Sequence, residues 1–236
     1  MQYEGISSEI LFLLAENRFQ DSKSFYEEHK AAIKAGAIDP LRRLVADVAP
    51  AMHRIDPLIV TDPLTNGCVS RVRRDNRYTH DKSMYRENLW VAFMRDKHTW
   101  ETIPAFYLDF SLRRAEWGVG FYRATPTIMQ CLRRRTDADP AGMLRAVKKA
   151  QKAGFTLGGD PYARPRSGAD TPALLRPLYD CRSIELSCSE PPEFVADAGL
   201  PERLIAGFEA LAPIYSKIMD AVEEAGGYRE VDAAER

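Results

Sequence analysis

The sequence predicts an α+β fold in a single domain: a mainly antiparallel sheet of about four or five strands, packed with amino- and carboxy-terminal helices. Three observations predict it. Apolar residues recur at helical spacing before residue 55 and again after residue 125. Between them lie short runs rich in aromatic and β-branched residues, some alternating in polarity and one wholly apolar. The links between these runs are too short for helical crossovers, so successive strands run antiparallel. The single domain then reads as a helical part (1–55), a sheet core (66–125), and a part with helices and a Gly/Pro-rich loop (126–236).

The helical part is punctuated by caps. Ser7 or Ser8 opens a first helix with Ile10, Leu11, Leu13 and Leu14 as its apolar stripe, ending near Asn17. Asp21 or Ser22 opens a second, with Phe25, Tyr26, His29, Ile33 and Ala37 near one face. Asp39-Pro40 opens a third, with Leu41, Leu44, Val45, Val48 and Met52 inward and Pro50 distorting its last turn.

In the sheet part, Cys68 to Arg73 reads as extended. Asn88 to Met94 reads as a strand buried on both faces. Residues 105–111 alternate, with Phe106, Leu108 and Phe110 inward and Tyr107, Asp109 and Ser111 outward. Glu116 to Ala124 is a further strand in which Gly118 and Gly120 allow a bulge or a close backbone approach. Thr125-Pro126 and Asp139-Pro140 then start two helices by the cap-then-proline rule. The cationic ends of these helices, Arg133 to Arg135 and Lys148 to Lys152, suit the helix dipole. Phe155 to Pro177 reads as a long Gly/Pro-rich loop. Ser183 to Ser187 reads as an edge strand, and Pro201 opens a last helical stretch that Pro213 kinks or divides.

Composition narrows the function. The chain has 236 residues, is 45% hydrophobic and 28% charged, and carries a formal net charge of -1. That balance argues against a generic nucleic-acid binder held by bulk electrostatics. No apolar run approaches the ~18–20 residues of a membrane span. The opening MQYEGISSEI lacks the basic and apolar regions of a signal peptide, so the expected compartment is the cytoplasm. Cys68, Cys131, Cys181 and Cys188 are scattered, and the four histidines show no metal-binding spacing. Neither a metal nor a cofactor is expected, because no dinucleotide fingerprint, phosphate loop or nucleophile elbow occurs.

The stretch that carries chemistry is VSRVRRDNRYTHDKSMYR, residues 69–86. Arg71, Arg73, Arg74, Arg77, Lys82 and Arg86 stand there against only Asp75 and Asp81. On an extended strand Arg71 and Arg73 share a face, about 7 Å apart. Two guanidiniums so placed can clamp a phosphate or carboxylate in bidentate forks. Asp75-Asn76 is a turn signal that holds Arg74 and Arg77 beside the strand.

This stretch resembles the signature of the DUF2461 family of uncharacterised proteins, approximately R-x-x-R-D-x-R-F-S-x-D-K-x-P-Y-K. Arg71, Arg74, Asp75, Arg77, Asp81, Lys82 and Tyr85 match directly. Tyr78, Thr79 and Arg86 are close replacements, while Met84 stands for the usual proline. Asn17 to Lys30 is similar to the family's amino-terminal segment, and FYLDF and EWGVGFY sit where it places its next strands. The resemblance implies an α+β fold and a shared polar site, and no activity.

The candidate ligand-binding residues are therefore Arg71, Arg74, Arg77, Lys82 and Tyr85. The candidate proton-handling groups are Asp75, Asp81 and Glu116. Three readings follow. The first is a site for an anionic, phosphorylated or carboxylated small molecule, with or without catalysis. The second is a nucleic-acid module in which the arginines contact phosphates and Tyr78, Tyr85, Trp90 and Tyr107 stack on bases. The third is a structural ion-pair network with no ligand.

Overall fold

The computed structural model describes residues 2–64, 67–75, 77, 80–96 and 98–228. The fold is α+β, with a five-stranded antiparallel sheet and helices at both ends of the chain. The second half of the expected Asp75-Asn76 turn, and Tyr78 and Thr79 of the motif, lie outside the described residues. Internal contacts fall into two compact units. The first comprises Met1–Phe93, Tyr107–Trp117 and Ser189–Ala206, and the second comprises Met94–Phe106, Gly118–Cys188 and Gly207–Arg236.

In the first unit, α1 (Ser8–Gln20) buries Leu11 and Leu14. It extends one turn beyond Asn17 and ends at Asp21, whose φ of 43° is left-handed. That conformation is tolerated by Asp more readily than by most residues. The helix α2 (Lys23–Ile33) begins where Ser22 Oγ accepts the Phe25 N–H at 3.1 Å.

The expected break at Asp39-Pro40 does not occur. A π-helical turn, Lys34–Ile38, carries α2 directly into α3 (Asp39–Ile55), with Ile38 and Asp39 in helical conformation. Asp39 caps nothing with its side chain, and its N–H donates to Lys34 O, five residues back. Pro50 lies inside α3 without ending it. Leu41, Leu44, Val45, Val48 and Met52 are fully buried on its inner face, worth roughly 1.5–3 kcal/mol each.

The strands are β1 (Leu89–Phe93), β2 (Pro104–Phe110), β3 (Ala115–Phe121), β4 (Thr156–Pro161) and β5 (Cys181–Glu190), in the order β1-β2-β3-β5-β4. The first three form the expected meander. In β2 the predicted alternation holds as far as Phe110, with Phe106, Leu108 and Phe110 buried and Tyr107 and Asp109 half-buried, but Ser111, expected outward, is buried just beyond the strand's end. In β1, Trp90 and Ala92 are half-buried, so only one face is fully covered.

Two expectations for the later strands are corrected. Residues 156–161, read as loop, form β4, and β5 pairs with it antiparallel from Thr156↔Ser187 to Pro161↔Cys181. The segment Ser183–Ser187 is therefore interior, between β3 and β4, and β4 is the edge. A strand of sequence TLGGDP has glycines and proline where strand patterning looks for β-branched residues.

In the second unit α4 (Pro126–Ala138) and α5 (Pro140–Lys152) start as expected, with Thr125 Oγ1 accepting from Ile128 N at 3.2 Å and Asp139 Oδ1 from Gly142 N at 2.8 Å. A short α6 (Arg176–Asp180) precedes β5. The last helix, α7 (Leu200–Glu224), belongs to the second unit from Gly207 onward and runs through Pro213 undivided. Phe106 meets Phe208 and Tyr215 of α7 at ring-centroid distances of 5.1 and 4.8 Å, near-optimal aromatic spacing.

The close approach foreseen at Gly118 is real. A Cβ there would lie 1.9 Å from Leu186 O on β5, and one at Gly120 2.5 Å from Glu185 Cβ. Gly118→Val should therefore cost roughly 2–4 kcal/mol through forced separation of the strands. Urea denaturation checks this, with a lowered midpoint and an unchanged slope as the expected result.

Candidate functional site

The basic stretch folds as two extended arms. The first lies along β1: Val69 bridges Val91, Ser70 N donates to Trp90 O, and Ala92 N to Cys68 O, each at 2.9 Å. It continues into a short antiparallel pairing with the returning arm. Arg73 bridges Tyr85, Arg74 N donates to Met84 O at 2.8 Å, and Arg86 N to Val72 O at 2.9 Å. From residue 70 to 73 burial alternates, with Ser70 and Val72 inward and Arg71 and Arg73 outward. This is the shared arginine face that the spacing predicts.

Three contacts hold the returning arm to the helices. Asp21 Oδ1 accepts both Met84 N at 2.8 Å and Tyr85 N at 3.1 Å. Tyr85, 3% exposed, stacks on Tyr26 of α2 with centroids 4.8 Å apart. Burial pushes its phenol pKa up. Arg18 of α1 reaches Asp81 at 3.2 Å.

The candidate acids are committed to partners. Asp81 accepts from Ser83 N at 3.0 Å, Ser83 Oγ at 2.7 Å, Arg18, and Arg74 at 3.1 Å. The Ser83 hydrogen bonds, then the two guanidiniums, hold its carboxyl below the usual range. Asp75 binds Arg77 bidentately, Nε at 2.9 Å and Nη2 at 2.7 Å, and this fork lowers its pKa to about 2. Both carboxylates are thus ionised acceptors. Glu116, on β3, pairs with Arg114 at 2.8 Å.

A cleft of about 310 Å³ opens beside the first arm. Its cationic lining is Lys30, Lys34, Arg42, Arg71 and Arg73, over a floor of Ile33, Ile38 and Val72, with Tyr26 completing the wall. Among the described residues no carboxylate lines it. Lys34 and Arg42 share Asp39, at 2.7 and 3.4 Å, and Lys30 pairs with Glu27 at 3.3 Å. Arg73 has no ion-pair partner among the described residues.

Of the residues singled out from sequence as ligand contacts, Arg71 lines this cleft. Tyr85 lies behind its Tyr26 wall, Arg74 is turned to Asp81, and Arg77 and Lys82 are exposed outside the lining. Lys34 and Arg42 were not visible as site residues. Their signal was the four-residue rhythm Lys30, Lys34, Ile38, Arg42.

A second polar group lies on the half-covered sheet face. Arg86 sits over the Trp90 ring at 4.5 Å, and Asn88 Nδ2 donates to Asp109 Oδ2 at 2.7 Å. Burial raises the Asp109 pKa, and burial lowers that of Arg86. Among the described residues no cluster of His, Cys, Asp or Glu is placed to hold a metal ion.

A family model described as a conserved hypothetical protein (DUF2461) matches residues 9–216. The chain belongs to this DUF2461 family. No curated protein matches it. The matched region contains the whole DUF2461-like stretch, α2, α3, all of α1 but its first residue, and every residue of the cleft. Among the described residues no helix is long and apolar enough to cross a membrane.

Two outcomes follow from these contacts. Asp21→Ala strips the acceptor from two backbone N–H groups and should cost roughly 2–4 kcal/mol, read as a lowered thermal midpoint. Asp109 behaves in the opposite sense. Its folded-state pKa is raised, so its contribution is complete below the unfolded value of about 4 and lost as pH rises through the folded value. Asp109→Asn keeps an oxygen for Asn88 and removes the charge. The variant should be more stable than the parent at pH 7, with the gap closing toward pH 4, in urea titrations at both values.

Proposed function

We propose that this chain is a cytoplasmic protein that binds an anionic, phosphorylated or carboxylated small molecule in the cleft between α2–α3 and the arginine arm. One observation carries the reading: among the described residues, five cationic side chains and no carboxylate line a single concave site with an apolar floor. A protein of net charge -1 has no general surplus of cations to scatter there. Guanidiniums at 71 and 73 supply planar forks for phosphate or carboxylate. The lysines supply long-range attraction that strengthens where low-dielectric walls focus the field.

The reading is one of binding. The carboxylates nearest the arm, Asp75 and Asp81, are held ionised by hydrogen bonds, which suits positioning rather than proton donation. Nucleic acid is the competing ligand, and its signature is a steep loss of affinity with salt.

A thermal-shift panel of phosphate, sulfate, sugar phosphates, nucleotides, carboxylates and short oligonucleotides tests the reading. A ligand at a hundredfold excess over its Kd adds ~2.7 kcal/mol, a rise of roughly 5–10 °C for a chain this long. Arg73→Ala should abolish the shift in a folded protein. Loss with Arg77→Ala instead would move the site to the hairpin tip, and a shift from oligonucleotides alone would favour the nucleic-acid reading.

A further inference from the structure

The cations on the helical side of the cleft are Lys30, Lys34 and Arg42, with Ile38 in the same series. All four are spaced by multiples of four residues. In an α-helix each four-residue step drifts about 40° around the axis. Over the three steps from Lys30 to Arg42 the drift is about 120°, enough to turn Arg42 away from a surface that Lys30 faces. These residues nonetheless line one cleft.

The π turn at Lys34–Ile38 reconciles the two facts. Its i→i+5 bonding, seen in the Asp39 N–H to Lys34 O bond, underwinds the helix and takes back part of that drift. The turn has a cause in the sequence. Pro40 has no N–H to give Gly36 O, and its ring would strike that carbonyl in an unbroken α-helix. Widening the preceding turn removes the clash without ending the helix. Pro40 is itself buried, which fixes the site of the distortion.

The result is a row rather than a point. Along the helix Lys30 and Arg42 are roughly 18 Å apart, and Arg71 and Arg73 are about 7 Å apart on the opposing arm. A single orthophosphate meets only one part of such an array. The cleft volume of about 310 Å³ corresponds to about ten waters, far more than one phosphate displaces.

We infer that the cleft takes an extended anion carrying two or more phosphate groups, because the Pro40-imposed π turn aligns Lys30, Lys34 and Arg42 opposite Arg71 and Arg73. The inference rests on the anion-binding reading and narrows it to a ligand class.

Calorimetry at physiological salt with inorganic phosphate, pyrophosphate and tripolyphosphate tests it. The parent protein should bind tripolyphosphate at least about tenfold more tightly than phosphate, a gap of about 1.4 kcal/mol. Two variants examine the row. Lys34→Gln removes its central charge from an exposed position. Pro40→Ala restores the N–H that lets the helix close in α register. Each should shrink the ratio of tripolyphosphate to phosphate affinity several-fold. Should Pro40→Ala fail to fold, Lys34→Gln alone decides. Equal affinity for phosphate and tripolyphosphate in the parent, or an undiminished preference in the folded variants, overturns the inference while leaving the anion site standing. Absence of binding by all three probes overturns the site and the inference together.

Discussion

One carboxylate sets the geometry on which the amino-terminal unit depends. Asp21 stands in left-handed conformation at the corner between α1 and α2, and a single oxygen, Oδ1, takes the backbone N–H groups of Met84 and Tyr85. Charge-assisted hydrogen bonds of this kind are about twice as strong as neutral ones. They fix the returning arm against the helices. Through the Arg73–Tyr85 bridge and the Val72–Arg86 bond they also fix the outgoing arm. The position of Arg71 and Arg73 relative to α2 and α3 therefore follows from a helix corner fifty residues earlier in the chain.

The basic stretch divides its cations between two tasks. Arg74 and Arg77, joined by Arg18 of α1, engage Asp81 and Asp75. Arg77 is exposed, while Arg18 and Arg74 are half-buried beside an exposed Asp81, so solvent reaches each pair and their worth is mostly geometric. Arg71 and Arg73 face the cleft, where lysines and Arg42 from the helices join them. The carboxylates that accompany Lys30, Lys34 and Arg42 stand outside its lining. The structural and the anion-binding readings of the motif thus describe different residues of one segment.

What the sequence made legible was local. The Ser22, Thr125 and Asp139 caps and the alternation through β2 each depend on a few adjacent residues, and Gly118 marked a close approach without naming its distant partner, Leu186. What it hid was set by partners distant in the chain. Thr156–Pro161 becomes a strand because β5 offers it a ladder, against the preferences of its glycines and proline. Pro40 marks a helix start in isolation. Here it is absorbed by a π turn, because the packed faces of α2 and α3 keep the helix going through it. The cleft draws on residues of α2, the π turn, α3 and the first arm, and the motif alone contained only its arginine side.

The placement of β4 at the sheet's edge has a consequence for the protein in a crowded solution. An edge strand offers unpaired N–H and C=O groups to any other chain that can add a strand. Here the exposed strand is short and ends at Pro161, which has no N–H to offer, after the charged Asp160. Gly159, at φ 143°, breaks its flatness, and Arg182 of β5 reaches across to Asp160 and to Pro161 O. The same residues that disguise this strand in the sequence make it a poor template for intermolecular pairing.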